Sequence, residues 1–85
     1  MAHPRVRDEA ERNDALPIWG GFITRLLPEK GFGFLRSDPD GLERFFHRSA
    51  CLPGAFEAFQ VGEPVSFNPA ETVKGPRALA VRSAD

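Results

Sequence analysis

Eighty-five residues suffice for one domain with a thin core, and eight glycines with eight prolines favour short elements joined by turns. Eleven Lys+Arg against twelve Asp+Glu leave a formal charge of −1, which excludes the strong overall basicity common in nucleic-acid binders and leaves the position of each cation to matter. Cys51 is the only cysteine, so an intramolecular disulfide and a cysteine-rich metal site are both excluded, and no run nears the roughly 20 apolar residues of a membrane-spanning helix.

Residues 1–17 hold Arg5, Arg7 and Arg12 with Asp8, Glu9, Glu11 and Asp14, and few apolar side chains. Such a segment cannot bury enough surface to offset its ordering entropy, so a flexible tail is expected, with at most a short helix over 8–15 that Pro17 closes. Its mixed charges and lack of an apolar run are unlike a signal peptide. Residues 18–85 are expected to form the domain, with eight basic against eight acidic side chains.

Trp19 is expected just ahead of the first strand, which spans Gly21 to Leu27 and stops at Pro28. Gly31 to Arg36 alternates and then meets the turn cluster Ser37-Asp-Pro-Asp-Gly41. Glu43 to Arg48 makes a third strand. Residues 49–61 read as irregular, broken at Pro53-Gly54, with Phe56, Phe59 and Val61 as anchors. Glu63 to Phe67 and Lys74 to Arg82 supply the fourth and fifth strands. Five short strands without a long helix predict an all-β fold, a small closed or nearly closed barrel. The first three strands read as a meander, and the longer link before the fourth suits a Greek-key crossing.

The segment Lys30-Gly-Phe-Gly-Phe-Leu35 carries most of the chemistry. With a period of two, Phe32 and Phe34 share one face, while Gly31, Gly33 and Leu35 share the other. Were the rings the core face, Leu35 would be turned to water beside two bare glycines. The opposite arrangement lets the glycines line a tight interior. It leaves two rings outside, which forgoes about 1.5–3 kcal/mol of burial for each. A binding surface explains that cost. On the third strand, Phe45 and His47 share a face and Phe46 takes the other, so Phe45 and His47 are expected beside Phe32 and Phe34. Lys30, Arg25 and Arg48 flank them. Bases of a single strand stack on such a platform for about 1–3 kcal/mol each.

These residues resemble a known family. Lys30-Gly-Phe-Gly-Phe-Leu35 is similar to the first ribonucleoprotein motif of cold-shock domains, and Phe45-Phe-His47 with Ser49-Ala50 is similar to the second. Gly62-Glu-Pro-Val-Ser-Phe67 and Lys74-Gly-Pro-Arg-Ala78 extend the likeness over roughly residues 20–82. The resemblance implies a five-stranded antiparallel OB-type barrel that binds single-stranded RNA or DNA and acts as an RNA chaperone or regulator of gene expression. It places stacking rings at Phe32, Phe34, Phe45 and His47, another base-contacting ring at Phe56, and basic contacts at Lys30 and Lys74. His47 has an alternative as a hydrogen-bonded surface histidine, and Phe56 has one as the anchor of its loop.

The chain also departs from the family. Thr24-Arg25-Leu26 stands where Lys-Trp-Phe is common, and Arg48 stands where a third phenylalanine often follows the histidine. Arginine stacks its planar guanidinium on bases and also meets phosphate, so a larger ionic share of binding is expected from Arg25 and Arg48. Arg44 replaces a usually apolar inward residue and is expected near the barrel rim with its charged end in water. Asp38, Asp40 and Glu71 are expected in turns away from the platform.

No catalytic or metal-binding reading survives, so the protein is not expected to be an enzyme. Asp38, Asp40 and Glu43 lack the spacing of a calcium loop, His3 and His47 lie far apart, and no acid is placed to orient His47 toward Ser49. No cofactor, membrane or small-molecule substrate is expected. A soluble cytoplasmic monomer or weak homodimer is expected instead. The rival to nucleic-acid binding is a barrel of the same fold that engages protein partners.

Overall fold

The computed structural model describes residues 17–84, so the tail reading for residues 1–16 lies outside the described residues. Five strands close a barrel in the order β1-β2-β3-β5-β4: β1 (Trp19–Leu27), β2 (Phe32–Ser37), β3 (Glu43–His47), β4 (Pro64–Thr72) and β5 (Gly75–Ser83). A 3₁₀ turn at Arg48–Ala50 and a one-turn helix α1 (Ala55–Ala58) occupy the link between β3 and β4 that was expected to be irregular. No helix among the described residues is long and apolar enough to cross a membrane. The all-β five-stranded barrel is as expected except in one pair. β3 and β5 run parallel, through Phe45 opposite Arg77, and the other neighbours are antiparallel.

Trp19 belongs to β1 rather than preceding it. It pairs with Phe67 and packs edge-on against that ring at 6.5 Å. β1 carries a bulge at Thr24: Ile23 pairs with buried Leu35, yet Arg25 pairs with the outward Phe34. Strict alternation would put Ile23 and Arg25 on one side of the wall. The extra residue turns Arg25 outward and sends Leu26, opposite Gly33, against the core.

β4 runs past its expected end at Phe67, through Pro69 to Thr72. Its pairing with β1 stops at Phe67, so from there it is hydrogen-bonded on the β5 side alone. A proline tolerates that position because its missing N–H removes no ladder bond on the open side. β5 answers with a second bulge, in which Ala80 and Val81 oppose Phe67 alone. Ala80 takes a left-handed φ of 51°, and Val81 enters the core.

The core gathers Ile23, Leu35, Phe46, Phe56, Phe59, Val65, Phe67, Ala78 and Val81. Gly33 is what lets the wall close around it. A Cβ there would lie 2.8 Å from the Arg25 carbonyl oxygen and 2.9 Å from the Phe46 ring. Gly31 differs from expectation, since it ends the β1–β2 turn at φ 76° instead of lining the interior as a strand residue. Conformation, more than space, selects glycine there.

Arg44 overturns the expectation of a rim residue with a wet charge. It faces inward opposite Leu35 and its side chain is 0% exposed. Nη2 donates to Asp40 and to Glu71, each at 2.8 Å, and Nη1 donates to the carbonyls of Ala70 (3.2 Å) and Arg77 (3.0 Å). The guanidinium carbon sits 5.3 Å from the Trp19 ring centroid. Burial works against its charge, but the hydrogen bonds to Glu71 and Asp40 outweigh it, so the group is held more firmly cationic than usual. Asp40 and Glu71 therefore do not stand idle in turns, and Glu71 lies within β4. The backbone N–H of Leu42 holds the Asp40 carboxyl below its usual range, and Arg44 assists against a desolvation that pushes the other way.

Candidate nucleic-acid interface

The β2–β3 ladder builds the outer face. Phe32 pairs with His47 and Phe34 with Phe45, while Gly33 and Phe46 pair on the inner side. Phe32, Phe34 and Phe45 are half-buried and His47 is exposed. Gly33, Leu35 and Phe46 are buried behind them. The three rings form a triangle with centroid separations of 5.3 Å (Phe32–Phe45), 5.8 Å (Phe34–Phe45) and 5.9 Å (Phe32–Phe34). The side from which the strands project their aromatics is thus outward, as alternation predicts.

His47 is a hydrogen-bonded histidine at the surface. Its Nδ1 accepts the Ser49 backbone N–H at 3.0 Å and lies 2.9 Å from the Ser49 hydroxyl, capping the 3₁₀ turn. An accepting Nδ1 places the proton of a neutral ring on Nε2. The hydrogen bonds fix the orientation of a ring that stays exposed.

The cations divide into two groups. Arg25, aimed by the Thr24 bulge, lies over Phe34 with its guanidinium carbon 5.0 Å from the centroid. Arg77 lies over Phe45 at 4.5 Å. Arg77 was not singled out from sequence, although it stands inside Lys74-Gly-Pro-Arg-Ala78. Only the parallel pairing of β3 with β5 brings it to Phe45. Lys30, in the β1–β2 turn, and Lys74, in the β4–β5 turn, are exposed. Arg48 is directed elsewhere. It sits 5.4 Å over the Phe56 ring, with Nε 3.7 Å from the Glu57 carboxylate, beside a cleft of about 200 Å³ that Leu26, Pro28 and Phe59 also line.

Phe56 corrects another expectation. It was placed among the base-contacting rings, but it is only 5% exposed. α1 turns it inward, where it packs edge-on against Phe46 at 6.3 Å and Phe59 at 6.4 Å. The alternative, an anchor for its loop, matches this position. A hydrophobe on a one-turn helix has little else to hold that helix down. Cys51 is half-buried, its Sγ donates to the His47 carbonyl at 3.6 Å, and burial pushes its thiol up to about 11.

Outward rings on β2 and β3, with glycine packed behind them, agree with the comparison to known families, in which the model of the 'Cold-shock' DNA-binding domain matches residues 20–84. The chain belongs to the cold-shock domain family. A cold shock-like protein of Aquifex aeolicus is 35% identical over 62 residues, covering 73% of this chain and 89% of its own length. A major cold shock protein of Streptococcus pyogenes is 36% identical over 61 residues, covering 72% and 90%. Among solved structures, a chain described as drosophila Unr CSD456 superposes with a TM-score of 0.71 at 24% identity, a likeness of fold. That match covers 92% of the present chain, which spans about a third of the other (31%). Cold-shock domains are nucleic-acid-binding modules, and membership gives the outer rings of this barrel a context beyond their geometry.

Proposed function

We propose that the domain binds single-stranded nucleic acid, RNA or DNA, by stacking bases on Phe32, Phe34, Phe45 and His47. Arg25, Arg77, Lys30 and Lys74 meet the phosphates and base edges, and in the cell the protein acts as an RNA chaperone or a regulator of expression. One observation carries the proposal: three phenylalanine rings stand on the outer face of one ladder, with buried Gly33 and Phe46 behind them. Each outward ring offers a flat surface on which any base can stack, so the chemistry needs no catalytic group.

The charge balance is compatible with this. Arg25 and Arg77 lie on two of the rings, while Asp40 and Glu71 are turned to Arg44. About three to five neutralised phosphates imply a log–log salt slope of roughly −2 to −3.5 for a single strand.

Titrating a short pyrimidine-rich oligonucleotide against wild type and the Phe32→Ala/Phe34→Ala double variant tests the proposal. Loss of two stacks lowers affinity by about tenfold or more. Equal, weak binding by both proteins favours a protein-interaction module instead. The salt slope adds a second test. Arg25→Ala/Arg77→Ala flattens it by about one to two units, whereas Arg48→Ala, whose guanidinium already faces Glu57, changes it less. The reverse order contradicts the division of cations drawn here.

A further inference from the structure

Six arginines lie among the described residues, and four are committed to protein partners. Arg44 is held by two carboxylates and two carbonyls, and Arg48 faces Glu57. Arg36 donates to the Gly41 carbonyl and Arg82 to the Ala80 carbonyl, both at 2.7 Å. Arg25 and Arg77 differ. Among the described residues, neither guanidinium donates a hydrogen bond or meets a carboxylate, and each lies on one ring of the outer triangle. Among the described residues, no guanidinium lies on the third ring, Phe32. It adjoins Phe34 and Phe45 at 5.9 and 5.3 Å and faces His47 across the ladder.

A guanidinium lying on a ring spends its face on the π-system and keeps its in-plane N–H fork free. A base laid on Phe32 would meet two such forks from the flanking rings. Guanine offers two adjacent acceptors, O6 and N7, that match a fork in bidentate fashion. Cytosine offers O2 and N3 on its open edge, whereas adenine and thymine place a donor beside each such acceptor.

We infer that Arg25 and Arg77 make this platform select guanine over thymine at the base stacked on Phe32. The inference rests on the stacking function proposed above and adds a specificity to it. Stacking on phenylalanine is nearly indifferent to sequence, so any such preference must come from the edge contacts.

The test is fluorescence anisotropy with a labelled seven-residue thymine strand in which one guanine is moved through each position. A parallel series carries 7-deazaguanine, which lacks the N7 acceptor. We expect guanine at one position to bind about tenfold more tightly than the all-thymine strand, and 7-deazaguanine to lose most of that gain. Arg25→Lys and Arg77→Lys keep the charge and remove the fork. At least one should collapse the guanine-to-thymine affinity ratio toward unity. Guanine no better than thymine at every position, with both strands bound, overturns the inference and spares the stacking reading. A ratio that survives both lysine variants, or that 7-deazaguanine leaves intact, also overturns it. Failure of wild type to bind any strand removes the stacking function, and the selectivity falls with it.

Discussion

The barrel wall carries two triangles of phenylalanine, one on each side. Outside, Phe32, Phe34 and Phe45 have centroids 5.3 to 5.9 Å apart; inside, Phe46, Phe56 and Phe59 are 5.9 to 6.4 Å apart. Ring spacing alone does not tell them apart. What differs is the neighbourhood. The inner rings meet Ile23, Leu35 and Val81 within one core cluster, whereas the outer rings are half-buried and two of them carry arginine. Clustered aromatics mark a binding surface only when the side of the wall is known, and in this chain adjacent residues Phe45 and Phe46 belong to opposite triangles.

The largest effect expected from breaking this comparison is on stability. Phe46→Ala should cost about 3–5 kcal/mol, a large part of the total for a domain of this size, while Phe32→Ala should cost about 1 kcal/mol or less. Urea unfolding of both variants measures the contrast, and similar midpoints would erase the distinction between the triangles.

Next comes the buried charge near the inner cluster. Arg44→Ala should lose about 2–4 kcal/mol, through the cavity and the carbonyls of Ala70 and Arg77 left without their donor. Arg44→Met fills the volume and should stay within about 1–2 kcal/mol of wild type, because Glu71 is 70% exposed and water takes over its solvation. A methionine variant as unstable as the alanine one would show that the charge itself is required. The Asp40 carboxyl has a lowered pKa in the folded state, so its contribution is present above the ordinary carboxylate range and lost as pH falls through the folded value. Arg44→Met should reduce, without abolishing, this acid sensitivity, since the Leu42 N–H remains.

The smallest effect concerns Cys51, with its thiol raised to about 11. Native protein at pH 8 should alkylate with iodoacetamide more slowly than urea-unfolded protein, as the thiolate is the nucleophile. A folded pKa above the unfolded one also means that its stabilisation is complete below about 9 and is lost as pH rises toward 11. Equal labelling rates in the two states would refute this.

Much of the outer face was legible because Lys30 to Leu35 and Phe45 to His47 alternate without interruption, and period two assigns sides on such stretches. The misreadings fall where that rule lapses. Arg25 is not among them, for it flanks the platform as expected, although its side depends on the Thr24 bulge rather than on period two. Arg77 reaches Phe45 through a parallel pairing between segments distant in the chain, which local pattern does not encode. Phe56 sits on a helix too short to show periodicity, so its direction is decided by the ring-filled cavity beneath it. Arg44 was misjudged because its partners, Asp40 and Glu71, become neighbours only when the barrel closes.

The irregularity at Thr24 gives β1 one residue more than the stretch of β2 it pairs with. Excising that single residue would leave Ile23 and Arg25 adjacent, and strict alternation would still send Arg25 outward and Leu26 against the core. An equal excision in the two-residue Val73–Lys74 tip breaks the Thr72–Gly75 pair and forces the register of β4 against β5 to slip. Chain length in this protein is therefore strict at this tight tip and forgiving at one point mid-strand, where a spare amino acid is already accommodated.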